Sequence, residues 1–272
     1  MRKMADMPYH FGIHMRLYPD DRQKQVIRAN CDAARFVYNC CVAVGKELYL
    51  LRKVSIYLEP VAERIRFLQD EYRDVRQMSN IAPFLNADNI DVQAKHNAVQ
   101  NYNKAWKQFR EGNGSIPVFH KKSHIGSYQT NPHYGRDAHG LTDGTGVRFL
   151  DAEHIILPKI GRIRIKGDTA RIRKLLSHTD DIRIGTVTVS IDPERNFHVS
   201  MQLGSEEPFA APLPKTGATV GIDVNLENFC SDSNGGVIEN PKYRRAGRTK
   251  LAKAQRKLSR MACGAKKKNT TL

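Results

Sequence analysis

The chain has 272 residues, more than a usual single domain and enough to bury at least one sizeable core. Its 44 Lys and Arg against 28 Asp and Glu give a formal charge of +16, a self-repelling balance that calls for a polyanion, nucleic acid ahead of an anionic membrane. Five cysteines without a CxxC pair exclude a secreted disulfide framework and a recognisable zinc site, and apolar runs as short as Ile155, Ile156 and Leu157 exclude a membrane span of roughly 20 residues.

Met1 to Asp6 is basic but leads into no apolar signal core, so a cytoplasmic protein is expected. From Tyr9 to Leu17, Phe11, Ile13, Met15 and Leu17 alternate with polar residues, the period of a half-buried strand. Pro19, Asp20 and Asp21 start a helix. Val26, Asn30, Ala33, Val37, Cys41, Val44, Leu48 and Leu51 then mark its buried stripe, with Cys40 and Cys41 as packed thiols. A second helix begins near Pro60 with Val61, Ile65, Leu68, Tyr72 and Val75 in register. A third runs from about Asp88 to Phe109, with Ala94, Ala98, Tyr102, Ala105, Trp106 and Phe109 on its core face. Lys95, Asn101, Lys104 and Lys107 lie elsewhere on that helix, available to solvent or phosphate. Residues 18–111 thus read as a small helical bundle.

The pattern changes at Gly112, Asn113 and Gly114. His120 and His124 follow Pro117 in a Lys-rich stretch that does not read as helix, so they are expected to be solvated loop histidines rather than metal ligands. Strands are expected at Val147–Leu150, His154–Leu157, Arg162–Lys166, Thr186–Ile191 and His198–Leu203, the last two joined by a hairpin loop over Asp192–Asn196. Together they suggest an antiparallel barrel. Within it Ile163 and Ile165 face the core while Arg162, Arg164 and Lys166 present cations. After the stiff Pro212, Leu213, Pro214 linker, Thr219 to Asp223 reads as an apolar strand ending in a carboxylate, which burial makes costly unless it is paired or metal-bound. From Lys242 to Lys268 there are twelve Lys or Arg and no acid, with Leu251, Ala254 and Leu258 giving a partial helical stripe.

Four stretches in this order resemble the TnpB (OrfB) family of insertion-sequence proteins, relatives of type V CRISPR effectors. They are Tyr18 to Gln23 with Ala34 to Asn39; Ala105 to Phe109 with Ile116 to Lys122 and Ser127 to Asn131; Ile156 to Lys166; and Gly221 to Phe229 continuing through Val237 to Tyr243 and Lys250 to Arg260. The resemblance implies an α+β multidomain protein. Its parts would be a β-barrel wedge domain (1–17 and 112–214) interrupted by a helical recognition domain (18–111), then the start of an RNase H-like, RuvC-type α/β nuclease domain (215–272). It also implies a guide RNA from the transposon end and target DNA as partners, with RNA pairing reading the sequence and protein cations holding the backbone. Asp223 matches the first of the family's three catalytic acids, which hold two Mg²⁺ ions roughly 4 Å apart for phosphodiester hydrolysis. Nothing acidic follows Glu239, and Cys263 is the last cysteine, so the other two acids and the family's zinc-ribbon ligands are not among these residues. A chain cut off before its nuclease domain is complete is the expectation.

The nucleic-acid contacts expected from charge and placement are Lys250, Lys253, Arg256, Lys257 and Arg260 with Arg244 and Arg245, then Arg162, Arg164 and Lys166, then Lys121, Lys122 and Tyr128. A guided nuclease in its complete form is one reading. A nuclease-dead remnant or RNA-guided repressor is the second, and an unrelated basic RNA-binding protein the third. The sequence says nothing of the oligomeric state.

Overall fold

The structure, a computed structural model, describes residues 4–54, 58–71, 75–133, 141, 142, 146–177, 182–210, 213, 214 and 216–268. The chain divides into two compact units, Met1–Ala211 and Pro212–Leu272.

In the first unit, strand β1 (Tyr9–Tyr18) leads directly into helix α1 (Asp21–Leu51). Asp20 fixes where the helix begins. Its side chain accepts from Gln23 N (2.7 Å) while its own N–H donates to Gln23 Oε1 (3.1 Å), a reciprocal capping box. The Gln23 Nε2 amide also donates to Arg162 O at 2.7 Å, tying the helix start to the sheet. With 31 residues α1 is about 46 Å long. Its first half is buried along Val26, Asn30, Ala33, Val37 and Cys41, as the spacing predicts, while Val44, Leu48 and Leu51 are half-buried.

Helices α2 (Glu59–Glu71) and α3 (Val75–Ile81) occupy the expected second helix; Tyr72 lies outside the described residues. A 3-10 turn at Pro83–Asn86 precedes α4 (Val92–Arg110), which starts later than expected because Asp91 caps it, accepting from Gln93 N at 3.0 Å. Gly45 of α1 lets α4 approach closely: a Cβ there would collide with the Tyr102 hydroxyl.

The remaining strands are β2 (Gly126–Thr130), β3 (Arg148–Phe149), β4 (His154–Leu157), β5 (Gly161–Lys166), β6 (Ile182–Ile191) and β7 (Phe197–Ser205), with a short helix α5 (Thr169–Leu176) between β5 and β6. They form one antiparallel sheet in the order β2-β6-β7-β1-β5-β4-β3. Strand β1 pairs with β7 from Tyr9↔Ser205 to Leu17↔Phe197 and with β5 from Arg16↔Lys166 to Tyr18↔Arg164. The four helices that follow β1 are therefore inserted between the first strand of this sheet and the rest. The sheet curls, and among the described residues its edges β2 and β3 do not pair, so the barrel suggested by the strand pattern takes the form of a half-barrel. Its inner face (Met15, Leu17, Ile163, Ile165, Val189, Val199, Met201) joins the helical stripe of α1 in one apolar core.

Helix α4 covers the open edge of β2, which would otherwise present unpaired backbone groups. Asn97 Nδ2 donates to Gln129 O (3.0 Å), Asn101 Nδ2 to Gln129 Oε1 (3.0 Å), and Asn131 Nδ2 to Asn97 Oδ1 (3.2 Å). These helix amides, four residues apart, fall on one stripe and hold the edge strand in register.

The second unit holds a three-stranded antiparallel sheet, β8 (Ile222–Asp223), β9 (Asn228–Asp232) and β10 (Val237–Glu239), followed by α6 (Tyr243–Lys268). None of its described side chains is buried. The strand expected over Thr219 to Asp223 is reduced to its last two residues, because Val220 and Ile222 are exposed and have no core to pack against. Among the described residues no helix is long and apolar enough to cross a membrane.

Candidate nucleic-acid interface

Strand alternation gives the half-barrel a second, polar face opposite its core. β1 contributes His10, His14, Arg16 and Tyr18; β5 contributes Arg162, Arg164 and Lys166; β4 and β3 add His154 and Arg148; β7 and β6 add His198, Ser200, Gln202, Thr188 and Ser190. No strand position on this face is acidic among the described residues. Where β1 ends, two guanidinium groups lie over the Tyr18 ring, Arg16 at 5.4 Å along the strand and Arg164 at 5.6 Å across it. Tyr18 as a residue stays 43% exposed beside these two cations.

The cations and rings here are positioned by neighbours. Arg162 donates from Nη2 to His154 Nε2 (3.3 Å), which places the ring proton on Nδ1, where it bonds Asp151 at 3.0 Å. Arg16 Nη2 donates to Asn196 Oδ1. Asn196 is in turn held by the Asp192 carboxylate, which also accepts from His198 Nε2 at 3.1 Å. The Asp192 carboxyl lies below its usual range: burial pushes it up, but the bonds from Asn196 and His198 together outweigh that. His14 stacks on His198 (centroids 4.9 Å, 14°) and bonds Ser200 Oγ at 2.8 Å. Arg162, Arg164 and Lys166 stand on the outward register of β5, as their alternation predicts. Not singled out from the sequence were His10, His14, Arg16 and Tyr18, whose signal was the outward half of the β1 alternation, and His154 and His198 on β4 and β7.

The Lys-rich segment before β2 is pinned to α1. His120 N donates to Asn39 Oδ1 (2.8 Å), Asn39 Nδ2 donates to His120 O (2.9 Å), and the His120 ring stacks on Tyr38 (4.1 Å, 7°). Burial, then the nearby Arg35 charge, lowers the His120 ring below its ordinary range. His120 is thus a built part of the segment rather than a merely solvated side chain. Among the described residues no group of three His, Cys, Asp or Glu is placed to hold a metal. Lys121 and Lys122 are exposed.

Two expectations are corrected here. Tyr128, expected to contact nucleic acid, is 2% exposed and packs in the core, since it sits on the inward-facing register of β2; its ring cannot stack on a base. Lys95, expected to face solvent or phosphate, is buried, with its Nζ donating to Leu85 O at 2.7 Å; it closes the 3-10 turn before α4. Burial pushes its ammonium pKa down.

In the second unit Asp223 is exposed on β8, opposite Ser231. The nearest acid on the paired strand, Asp232, is committed to the following turn, its Oδ1 accepting from Asn234 N and Gly236 N, each at 2.8 Å. A magnesium site needs carboxylates converging from several elements. Among the described residues no group of three His, Cys, Asp or Glu gathers at Asp223, so they do not make up a two-metal centre by themselves. Helix α6 carries Arg244, Arg245, Lys250, Lys253, Arg256, Lys257 and Arg260, all exposed, with no acid along its length.

A family model described as "Probable transposase" matches residues 180–272, and one described as "Helix-turn-helix domain" matches residues 7–53; both are OrfB models of the IS605 type. In this structure residues 7–53 form β1 and the unbroken helix α1. Over 79 residues the chain is 44% identical to a protein of Streptomyces pristinaespiralis named "Putative RNA-guided DNA endonuclease". That stretch is 29% of this chain and 19% of the relative, so the match spans about a fifth of the curated relative's length.

Proposed function

We propose, from the premise that this chain belongs to the OrfB (TnpB) family of insertion-sequence proteins, that it holds a guide RNA and presents it to target DNA in the cytoplasm. The observation that carries this reading is the cation-bearing polar face of the half-barrel, whose strand positions include no acid among the described residues, with Arg16 and Arg164 over the Tyr18 ring. A sheet that displays cations around an exposed ring offers a strand both phosphate neutralisation and a stacking platform. Curled sheet and inserted helices are read as the wedge (1–17, 112–214) and recognition (18–111) parts, and 215–272 as the start of a RuvC-like domain. Helix α6 is read as a second phosphate contact, through Lys250, Lys253, Arg256, Lys257 and Arg260 with Arg244 and Arg245. Lys121 and Lys122 are read as a third.

Cleavage belongs to the complete family form, where a divalent metal, magnesium by resemblance, would need Asp223 together with carboxylates from other elements. What Asp223 itself offers is one exposed carboxylate at the end of a strand. RNA-guided DNA binding without cleavage is the second reading, motivated by the described residues placing no group of three His, Cys, Asp or Glu around Asp223.

The test is the salt dependence of RNA binding. Replacing Arg16, Arg164 and Lys166 with Gln removes three phosphate contacts, which should flatten the slope of log K against log salt by about 2, given about 0.7 per contact on a single strand. An unchanged slope would remove the sheet face from the interface.

A further inference from the structure

We infer that the cavity between α1, α4, β2 and residues 120–126 is a phosphate-binding subsite for one nucleotide of a bound strand, an inference that rests on the nucleic-acid reading above. The cavity measures about 790 Å³. Arg28, Arg35, Lys121, Lys122 and Arg195 line it, against one carboxylate, Asp32, which is already engaged by Arg35 Nη2 at 3.1 Å. The lining is therefore strongly positive, and an anion entering it meets cations from α1, from the 120–126 segment and from the β6–β7 hairpin.

A second, independent observation points to an acceptor. Tyr128 lines the same cavity, and its hydroxyl is buried without a hydrogen-bond partner. The Nε of Arg35, also at the wall, is in the same condition. Two donors left without partners in one wall are costly to fold, and an anionic oxygen that came within reach as the side chains around them shift would satisfy them. Burial holds the Tyr128 hydroxyl well above its ordinary pKa, so it remains a donor at neutral pH. Tyr128 thus enters as a hydroxyl in a wall, its ring held in the core.

The remaining walls are those of a nucleotide pocket rather than an ion site. Ala94 and Ala98 are apolar, and the stacked Tyr38 and His120 rings offer an aromatic surface. A volume in the ordinary range of small-molecule pockets, about 300–1,000 Å³, leaves room for a sugar and base beside the phosphate.

The experiment titrates the full chain into a labelled single-stranded RNA of about 12 nucleotides, with uridine 5′-monophosphate or inorganic phosphate as competitor at constant ionic strength. Tyr128→Phe removes one hydroxyl. It should weaken RNA binding about 3- to 10-fold while the thermal midpoint stays level or rises, because a stranded donor has gone. Arg35→Lys keeps the charge but removes Nε, and should show a loss of the same order even if the Tyr128 variant folds poorly. Wild type should be displaced by the monophosphate at lower concentration than by inorganic phosphate, and Tyr128→Phe should raise the concentration needed of both. Both variants binding RNA and competitors like wild type, while the Arg16, Arg164 and Lys166 variant is weakened, overturns the subsite and leaves the nucleic-acid reading standing. A wild-type chain that binds no RNA overturns both.

Discussion

Replacing Asn30 with Ala tests how the helices are fastened to the sheet. Asn30 is fully buried on α1, and its amide makes three bonds: Nδ2 donates to Val26 O (2.9 Å) and Asn89 O (2.8 Å), and Oδ1 accepts from Asp91 N (2.7 Å). Asp91 in turn caps α4 through Oδ1 and accepts the Thr130 hydroxyl of β2 through Oδ2. One side chain thus joins α1, the start of α4 and the edge of the sheet. Truncation strands the Asn89 carbonyl and the Asp91 N–H, each at about 1–3 kcal/mol, and leaves a small void. Ala recovers about 0.5 kcal/mol of helix propensity, so the net loss should be about 3 kcal/mol. Urea unfolding followed by circular dichroism reads this directly as a lowered midpoint with unchanged slope. Thr130→Val should cost about 1–2 kcal/mol, and because both variants act on Asp91, their combination should depart from additivity by more than about 0.5 kcal/mol. A loss below about 1 kcal/mol for Asn30→Ala, or strict additivity, would refute the shared network.

Tyr18→Ala on the exposed sheet face should leave stability within about 0.5 kcal/mol yet weaken single-stranded RNA binding by about 1–3 kcal/mol, read by anisotropy at fixed salt. Asp223→Ala should abolish magnesium-dependent cutting in the complete family form while RNA binding stays within about threefold; in these residues the exposed carboxylate should change the unfolding midpoint little. Alkaline pH should destabilise the first unit. Burial raises the Cys31 and Cys41 thiols from 9.0 to about 12 and the Tyr102 hydroxyl from 10.0 to about 12. The folded chain then keeps protons the unfolded chain releases, so this stability is full below pH 9 and is lost as pH rises toward 12. Cys41→Ala should make the fall of the thermal midpoint over that window shallower, and equal slopes would argue against the buried thiol.

Much of the first unit was legible because single-sided burial writes a period into the sequence. The β1 alternation, the α1 stripe and the Ile163/Ile165 pair all follow from one apolar face. Strand β2 was missed as a strand because only five residues alternate and its inward positions, Tyr128 and Thr130, look polar. The same blindness misplaced Tyr128 and Lys95: each carries a polar tip that a sequence pattern sends to solvent, whereas long-range packing buries both. Helix α5 escaped for a different reason, since only Ile172 and Leu175 are buried among its eight residues. In the second unit the carboxylate at the end of an apolar stretch was visible, but the short exposed strand around it was not, because alternation cannot say whether a core exists to receive it.

The most direct test of guide binding is to purify the chain from its host under moderate salt and sequence the RNA that accompanies it. A discrete species transcribed from the transposon end, depleted when Arg16, Arg164 and Lys166 are replaced by Gln, is the predicted result. RNA in proportion to its cellular abundance, or none, would contradict the account.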